Sequence, residues 1–238
     1  MTRLSVNINK IALLRNSRGG GLPDLRQFAL DCESYGAEGI TVHPRPDQRH
    51  IRYDDLYMLK EVLSTEFNIE GFPSAEFMDI ICEVRPHQCT LVPDLPGALT
   101  STTGWDTINQ GDFLIDVVAQ LQEAGIRTSL FLNADLSMLE GVGRIGTDRI
   151  ELYTGLYAKQ YEQEDQNKAV RDHILTSRRA AEMGVEINAG HDLNLHNLTF
   201  YKESIQNLKE VSIGHALISD SLYYGVQNTI GMYKKCLR

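Results

Sequence analysis

The chain has 238 residues, 42% of them hydrophobic and 23% charged, with a formal net charge of −9. That length suits one large domain or two small ones, and the balance is that of a globular chain. The acidic surplus argues against general nucleic-acid binding, which requires a basic face, and no apolar run approaches the ~18 residues of a membrane span.

The first strand candidate is LSVNIN (4–9). RNSRGGG (15–21) follows, with Arg15 and Arg18 ahead of three glycines, a pattern that suits a mobile loop closing over a site, with a plain flexible loop as the alternative. GITVH (39–43) is the second strand candidate and runs into Arg45, Arg49 and His50, stiffened by Pro44 and Pro46. FNIEGF (67–72) and CTLVPD (89–94) come next. Residues 111–125 put Phe113, Val117 and Leu121 on one helical stripe and end on a glycine suited to a C′ position. Beyond lie RTSLFLN (127–133), RIELYTG (149–155), a second glycine-ended helix at 167–184, VEINAGH (185–191) and EVSIGHA (210–216). The chain finishes on SLYYGVQNTIGMYKKCL, where Lys234 and Lys235 suit the negative end of a helix dipole.

Eight strand–helix units without a composition break predict an α/β fold, a single (β/α)8 TIM-barrel domain over 1–238, close to the ~250 residues typical of that fold. A doubly wound open sheet competes, but the absence of GxGxxG and the even spacing favour closure. MTRLSVNINK lacks the apolar core of a secretory leader, so the expected location is cytoplasmic. Cys32, Cys82, Cys89 and Cys236 form no CxxC pair and no zinc-like spacing with histidine, which predicts free thiols and no metal site.

Barrels do chemistry where strands end and βα loops begin. Asn7 and Asn9 end the first strand candidate, His43 the second, Asn133 the fifth, and Asn188 and His191 the seventh. Glu70 lies in the third, Glu151 in the sixth, and Gly214 and His215 in the eighth. The opposite ends, at Leu4, Gly39, Phe67, Thr128 and Val185, are plain. Two histidines and a glutamate on different strands suit acid–base work. Apolar neighbours should raise the pKa of Glu70; a salt bridge to a barrel arginine is the competing role. Glu151 could orient a neighbouring histidine or lysine. Arg45, Arg49 and His50 suit an anionic substrate, with a solvated turn as the alternative. The Gly214–His215 pair resembles a barrel phosphate site built from backbone N–H groups. Two anion regions suggest two phosphorylated fragments or one bisphosphate.

The segments VNINKIALLRNSRG (6–19), GAEGITVHPRPDQRHI (36–51), LVPD (91–94), IELYTGLYA (150–158), INAGHDLNLHN (187–197) and IGHALIS (213–219) together resemble the pyridoxine 5′-phosphate synthase (PdxJ) family. The resemblance spans nearly the whole chain. It implies a TIM barrel with extra helices, assembled as a homo-octamer. The implied reaction is a ring-forming, transferase-class condensation of 1-deoxy-D-xylulose 5-phosphate with 3-amino-2-oxopropyl phosphate through a substrate Schiff base, with no metal or other cofactor and no macromolecular partner. By motif match, His43 and Glu70 become proton acceptors and His191 a proton donor. Asn7, Arg18, Asp192, Gly214 and His215 would hold the aminoketone phosphate. Asn9, Lys10, Arg45, His50 and Thr100 would hold the deoxypentulose phosphate.

The chain also departs from the family pattern. Asn9–Lys10 stands where many members carry Asp-His, Asp192 where glycine is common, and EGFPSAE where the family run is EMA. A Schiff-base aldolase would want a lysine within a barrel strand, and the eight candidates contain none. A metal-dependent epimerase would want more His/Asp ligands. A non-catalytic phosphate-binding barrel would account for Asn9–Lys10 but has no use for His43, Glu70 and His191 together.

Overall fold

The computed structural model describes residues 1–94, 101–163 and 165–238. Its elements run β1 (Arg3–Asn7), α1 (Asn9–Asn16), α2 (Leu25–Ser34), β2 (Gly39–Val42), α3 (Tyr53–Val62), β3 (Glu66–Gly71), α4 (Ala75–Val84) and β4 (Gln88–Leu91). They continue α5 (Gly111–Glu123), β5 (Arg127–Leu132), α6 (Leu136–Ile145), β6 (Arg149–Tyr153), α7 (Gly155–Gln163), α8 (Gln166–Glu182), β7 (Glu186–Gly190), α9 (Leu198–Ser204), β8 (Leu208–Ile213), α10 (His215–Tyr224) and α11 (Val226–Cys236). The eight strands pair in parallel and in chain order, and β8 returns to β1, so the barrel is closed. Three helices are additional to one per strand among the described residues: two helices join β1 to β2, two join β6 to β7, and two follow β8.

Side chains alternate across each strand, as the pleat demands. Leu4 and Val6, Ile40 and Val42, Phe67 and Ile69, and Ile150 and Leu152 are fully buried in the main apolar core, the sleeve between strands and helices. The alternate positions point into the barrel and are mostly polar. Ser5 hydrogen-bonds Thr41 at 2.7 Å, Asn68 accepts from Thr90 at 3.0 Å, and Gln88 Oε1 accepts from Arg149 at 3.1 Å and Asn188 at 3.4 Å. The Gln88 contacts join β4 to β6 and β7, strands that are not neighbours, so they cross the lumen.

The plain lower ends read from the sequence are therefore not plain on the lumen side. The lower lumen is charged: Glu66 is within 2.7 Å of Arg3, pairs with Arg127 and lies 3.5 Å from Arg149. Two boundaries also shift. The first strand stops at Asn7, because the Asn7 carboxamide oxygen accepts the Asn9 N–H at 3.1 Å and turns the chain into α1. Arg15 and Asn16 then belong to that helix, and Arg15 is buried in an ion pair with Asp55 on α3 at 2.6 Å. Two of the seven residues of the expected glycine-rich loop thus form a packed helix end. The four cysteines are free thiols.

Candidate active site

A cavity of about 620 Å³ opens at the C-terminal mouth of the barrel. Thirteen predicted residues line it: Asn7, Asn9, Lys10, His43, Arg45, Arg49, His50, Glu70, Glu151, His191, Asp192, Gly214 and His215. Arg18 is exposed in the turn after α1 and is not among the lining residues. Thr100 lies outside the described residues.

At the centre, His43 Nδ1 lies 3.8 Å from Glu70 Oε2. His43 sits one residue past β2, its backbone N–H donating to the Asn9 carboxamide at 2.9 Å. Asn9 therefore braces the chain at this histidine. Burial pushes the imidazole well below its ordinary 6.5, and the charges of Arg45, His50 and Arg49 push it further. Burial also lifts the Glu70 carboxyl to about 8, against the attraction of Arg45 and with help from Asp94 and Glu210. The pair therefore meets pH 7 as a neutral imidazole beside a protonated acid. Glu70 is not salt-bridged to a barrel arginine, because Arg45 turns to Asp94 at 2.8 Å, and Ser101 donates to the same carboxylate oxygen at 2.6 Å. Glu151 is held above its ordinary value by burial and then by Glu70. Beside it a side chain at Gly190 would collide with Glu151 Oε1 at 2.4 Å, so this glycine leaves room for the carboxyl.

Two anion-donor regions flank this centre. One joins Lys10 at the start of α1 to the loop after β2. In that loop His50 Nδ1 accepts the Ile51 N–H at 2.9 Å, which leaves the proton on Nε2. Burial, Arg45 and Arg49 lower His50 to about 4, so it acts as a neutral donor. Arg15 and Asn16 fix the loop by donating to the His50 carbonyl at 3.2 and 2.7 Å. The other region is the N-terminus of α10, where Gly214 and His215 line the mouth and no side chain caps the helix. A Cβ at Gly214 would lie 3.1 Å from Asn7 Cβ, so backbone and Asn7 approach closely there.

His191 and Asp192 form the third feature. His191 Nδ1 is 2.9 Å from Asp192 Oδ2, and that bond is the main reason the Asp192 carboxyl lies below its ordinary value. Both residues have left-handed backbones, with φ of 87° and 60°, a conformation costly to side chains other than glycine. Thr154 donates to the carbonyls of Gly190 and His191, at 2.7 and 2.5 Å, and Asn197 Nδ2 donates to the Asp192 carbonyl at 3.2 Å. Tyr153 meets the His191 ring edge-on at 5.2 Å.

Sequence reasoning did not single out Val92, Phe131, Ser101 or Ser212 as lining residues. The pleat offers the one available signal. Ser212 shares its face of β8 with Glu210, and Phe131 pairs in register with the inward-facing Glu151.

A family model described as pyridoxal phosphate biosynthesis protein PdxJ matches residues 4–238. A pyridoxine 5′-phosphate synthase of Parabacteroides distasonis is 54% identical over 237 residues, covering 100% of this chain and 99% of its own. One of Cytophaga hutchinsonii is 53% identical over 238 residues, covering 100% of both. Among solved structures, an N-(5′-phosphoribosyl)anthranilate isomerase from Pyrococcus furiosus superposes with a TM-score of 0.64 at 11% identity, over 100% of this chain and 98% of its own. That likeness speaks to the barrel alone.

Proposed function

The chain belongs to the PdxJ family, and we propose that it is a pyridoxine 5′-phosphate synthase. In this reading it condenses 1-deoxy-D-xylulose 5-phosphate with 3-amino-2-oxopropyl phosphate to pyridoxine 5′-phosphate, inorganic phosphate and water. One observation carries the assignment. A single cavity joins two anion-donor regions across a neutral imidazole and a protonated carboxyl, which suits two phosphorylated substrates and repeated proton transfer between them.

The substrate amine attacks the pentulose ketone and forms the C–N bond. Glu70 enters with its proton, gives it to the departing hydroxyl of the carbinolamine, and water leaves. As a carboxylate it then accepts the proton that the nitrogen sheds as the iminium becomes the imine. His43, neutral and buried, takes the proton from the carbon next to the imine. His191, its ring oriented by Asp192, supplies a proton as later groups leave. Loss of phosphate, an aldol-type closure and aromatisation complete the ring. Lys10, Arg45 and His50 hold the deoxypentulose phosphate, with Asn9 acting through the His43 backbone. Asn7 and the Gly214–His215 helix start hold the aminoketone phosphate. Glu151 stands beside Glu70 as a second protonated carboxyl. Arg18 and Thr100 are assigned to the two phosphate sites on the family resemblance alone.

A homo-octamer working in the cytoplasm is part of the same proposal. Exposed Leu222, Tyr223 and Tyr224 on α10 support a buried face in an assembly.

The test is to mix the purified protein with both substrates, without added metal, and follow pyridoxine 5′-phosphate by absorbance and mass. Steady product formation is expected. Binding of both ligands without product would favour a non-catalytic barrel.

A further inference from the structure

The lumen is built almost wholly of polar side chains, yet at its top β4 and β5 present two apolar ones. Phe131 takes the inward position of β5 beside Glu151, and Val92 lies one residue past β4. Both are nearly inaccessible, at 3% and 2% exposure, yet both line the cavity. With Tyr153 they form an apolar cluster separate from the main core. Phe131 packs on Tyr153 at 5.6 Å, and Tyr153 meets the His191 ring at 5.2 Å. An apolar wall inside a polar cavity fits an apolar part of the ligand.

The cationic and backbone donors stand on the arc from α10 through β1 to the loop after β2. In the closed barrel β4 and β5 lie across the mouth from that arc. A pentulose anchored by its phosphate near Arg45 and His50 therefore directs its other end to the far wall. In a 1-deoxypentulose that end is a methyl ketone.

Resting on the functional reading above, we propose that Val92 and Phe131 receive the methyl group of the pentulose. They would thereby set a preference for the 1-deoxy sugar phosphate over its 1-hydroxy counterpart. The side chains of Val92 and Phe131 themselves offer a hydroxymethyl group no partner. Neither side chain carries a polar atom, and the Val92 N–H already donates to the Gly71 carbonyl at 3.0 Å. A hydroxyl placed there loses its hydrogen bonds to water without replacement. The same wall keeps the ketone carbon, adjacent to the methyl, close to His191.

The test compares kcat/KM for 1-deoxy-D-xylulose 5-phosphate and D-xylulose 5-phosphate, each with 3-amino-2-oxopropyl phosphate, in wild type, V92T and F131M. The wild type should prefer the deoxy sugar by on the order of 10–100-fold, the range an apolar pocket achieves against an added hydroxyl. V92T keeps the shape and adds a hydrogen-bonding partner, so the ratio should narrow by about tenfold. F131M should narrow it by loosening the wall. Equal use of both sugars by the wild type overturns the proposal without any variant. So does an unchanged ratio in a folded V92T or F131M of wild-type melting temperature. No product from the wild type with the deoxy sugar overturns the functional reading itself, and the proposal with it.

Discussion

At the scale of single residues, protonation is divided by environment rather than by residue type. Glu70 and Glu151 are kept protonated by burial, while Asp192, nearer the mouth, is kept ionised by its histidine. Replacing His191 with asparagine should lower kcat by roughly 10²–10⁴-fold, the usual contribution of a positioned proton donor, while both phosphorylated ligands still bind. Steady-state kinetics beside calorimetry check this, and near-normal kcat would remove His191 from its role. Gly190→Ala should also lower kcat, because the new methyl must displace the Glu151 carboxyl; the melting temperature shows whether the fold survives. His43 and His191 were legible because a barrel puts chemistry at strand ends and the sequence puts histidines there. Val92 and Phe131 were not, since an apolar residue in a strand does not say which face it takes until the register is known.

At the scale of elements, the loop after β2 is only as firm as its clamp. Arg15 on α1 reaches Asp55 on α3 through two bonds of 2.6 and 2.9 Å, and Asp55 also accepts the Arg52 N–H at 2.8 Å. Arg15→Met leaves a buried carboxylate without its guanidinium and should cost roughly 3–5 kcal/mol. It should also raise KM for the deoxypentulose phosphate, since the His50 carbonyl loses a donor. Urea denaturation and initial rates test the two effects separately; unchanged stability would mean the pair is idle. The sequence pattern read Arg15 as part of a mobile loop, because three glycines follow it and nothing local announces Asp55, which is 40 residues away. The eight strands were readable from β-branched runs and glycine boundaries. The turn from β1 into α1 was not, because apolar Ile8 continues the strand pattern and only the Asn7 side chain ends it.

At the scale of the molecule, buried titratable groups shape stability against pH. Burial holds Glu70 and Glu210 near 8 and raises Glu151, whereas the unfolded chain ionises each near 4.5. Between those values the folded state carries more protons, so these groups make stability fall as pH rises. Burial lowers His43, His50 and His173 from 6.5, the last two to about 4. There the unfolded state carries more protons, so stability falls as pH drops below 6.5. The two sets oppose between 4.5 and 6.5, and above 6.5 only the carboxyls act. Denaturation midpoints at fixed ionic strength should be nearly level from pH 5 to 6.5 and decline toward pH 8. A midpoint rising over that upper range would contradict the assignment.

Strand alternation also divides the chain into two vocabularies that hardly share a word. Sleeve positions such as Leu4, Ile40 and Ile150 specify the scaffold, and lumen positions such as Asn68, Gln88 and Glu151 specify what happens inside it. A lineage can rewrite the second with little revision of the first. Random libraries confined to lumen positions should yield many folded but silent proteins, and libraries confined to the sleeve should yield fewer proteins of any kind.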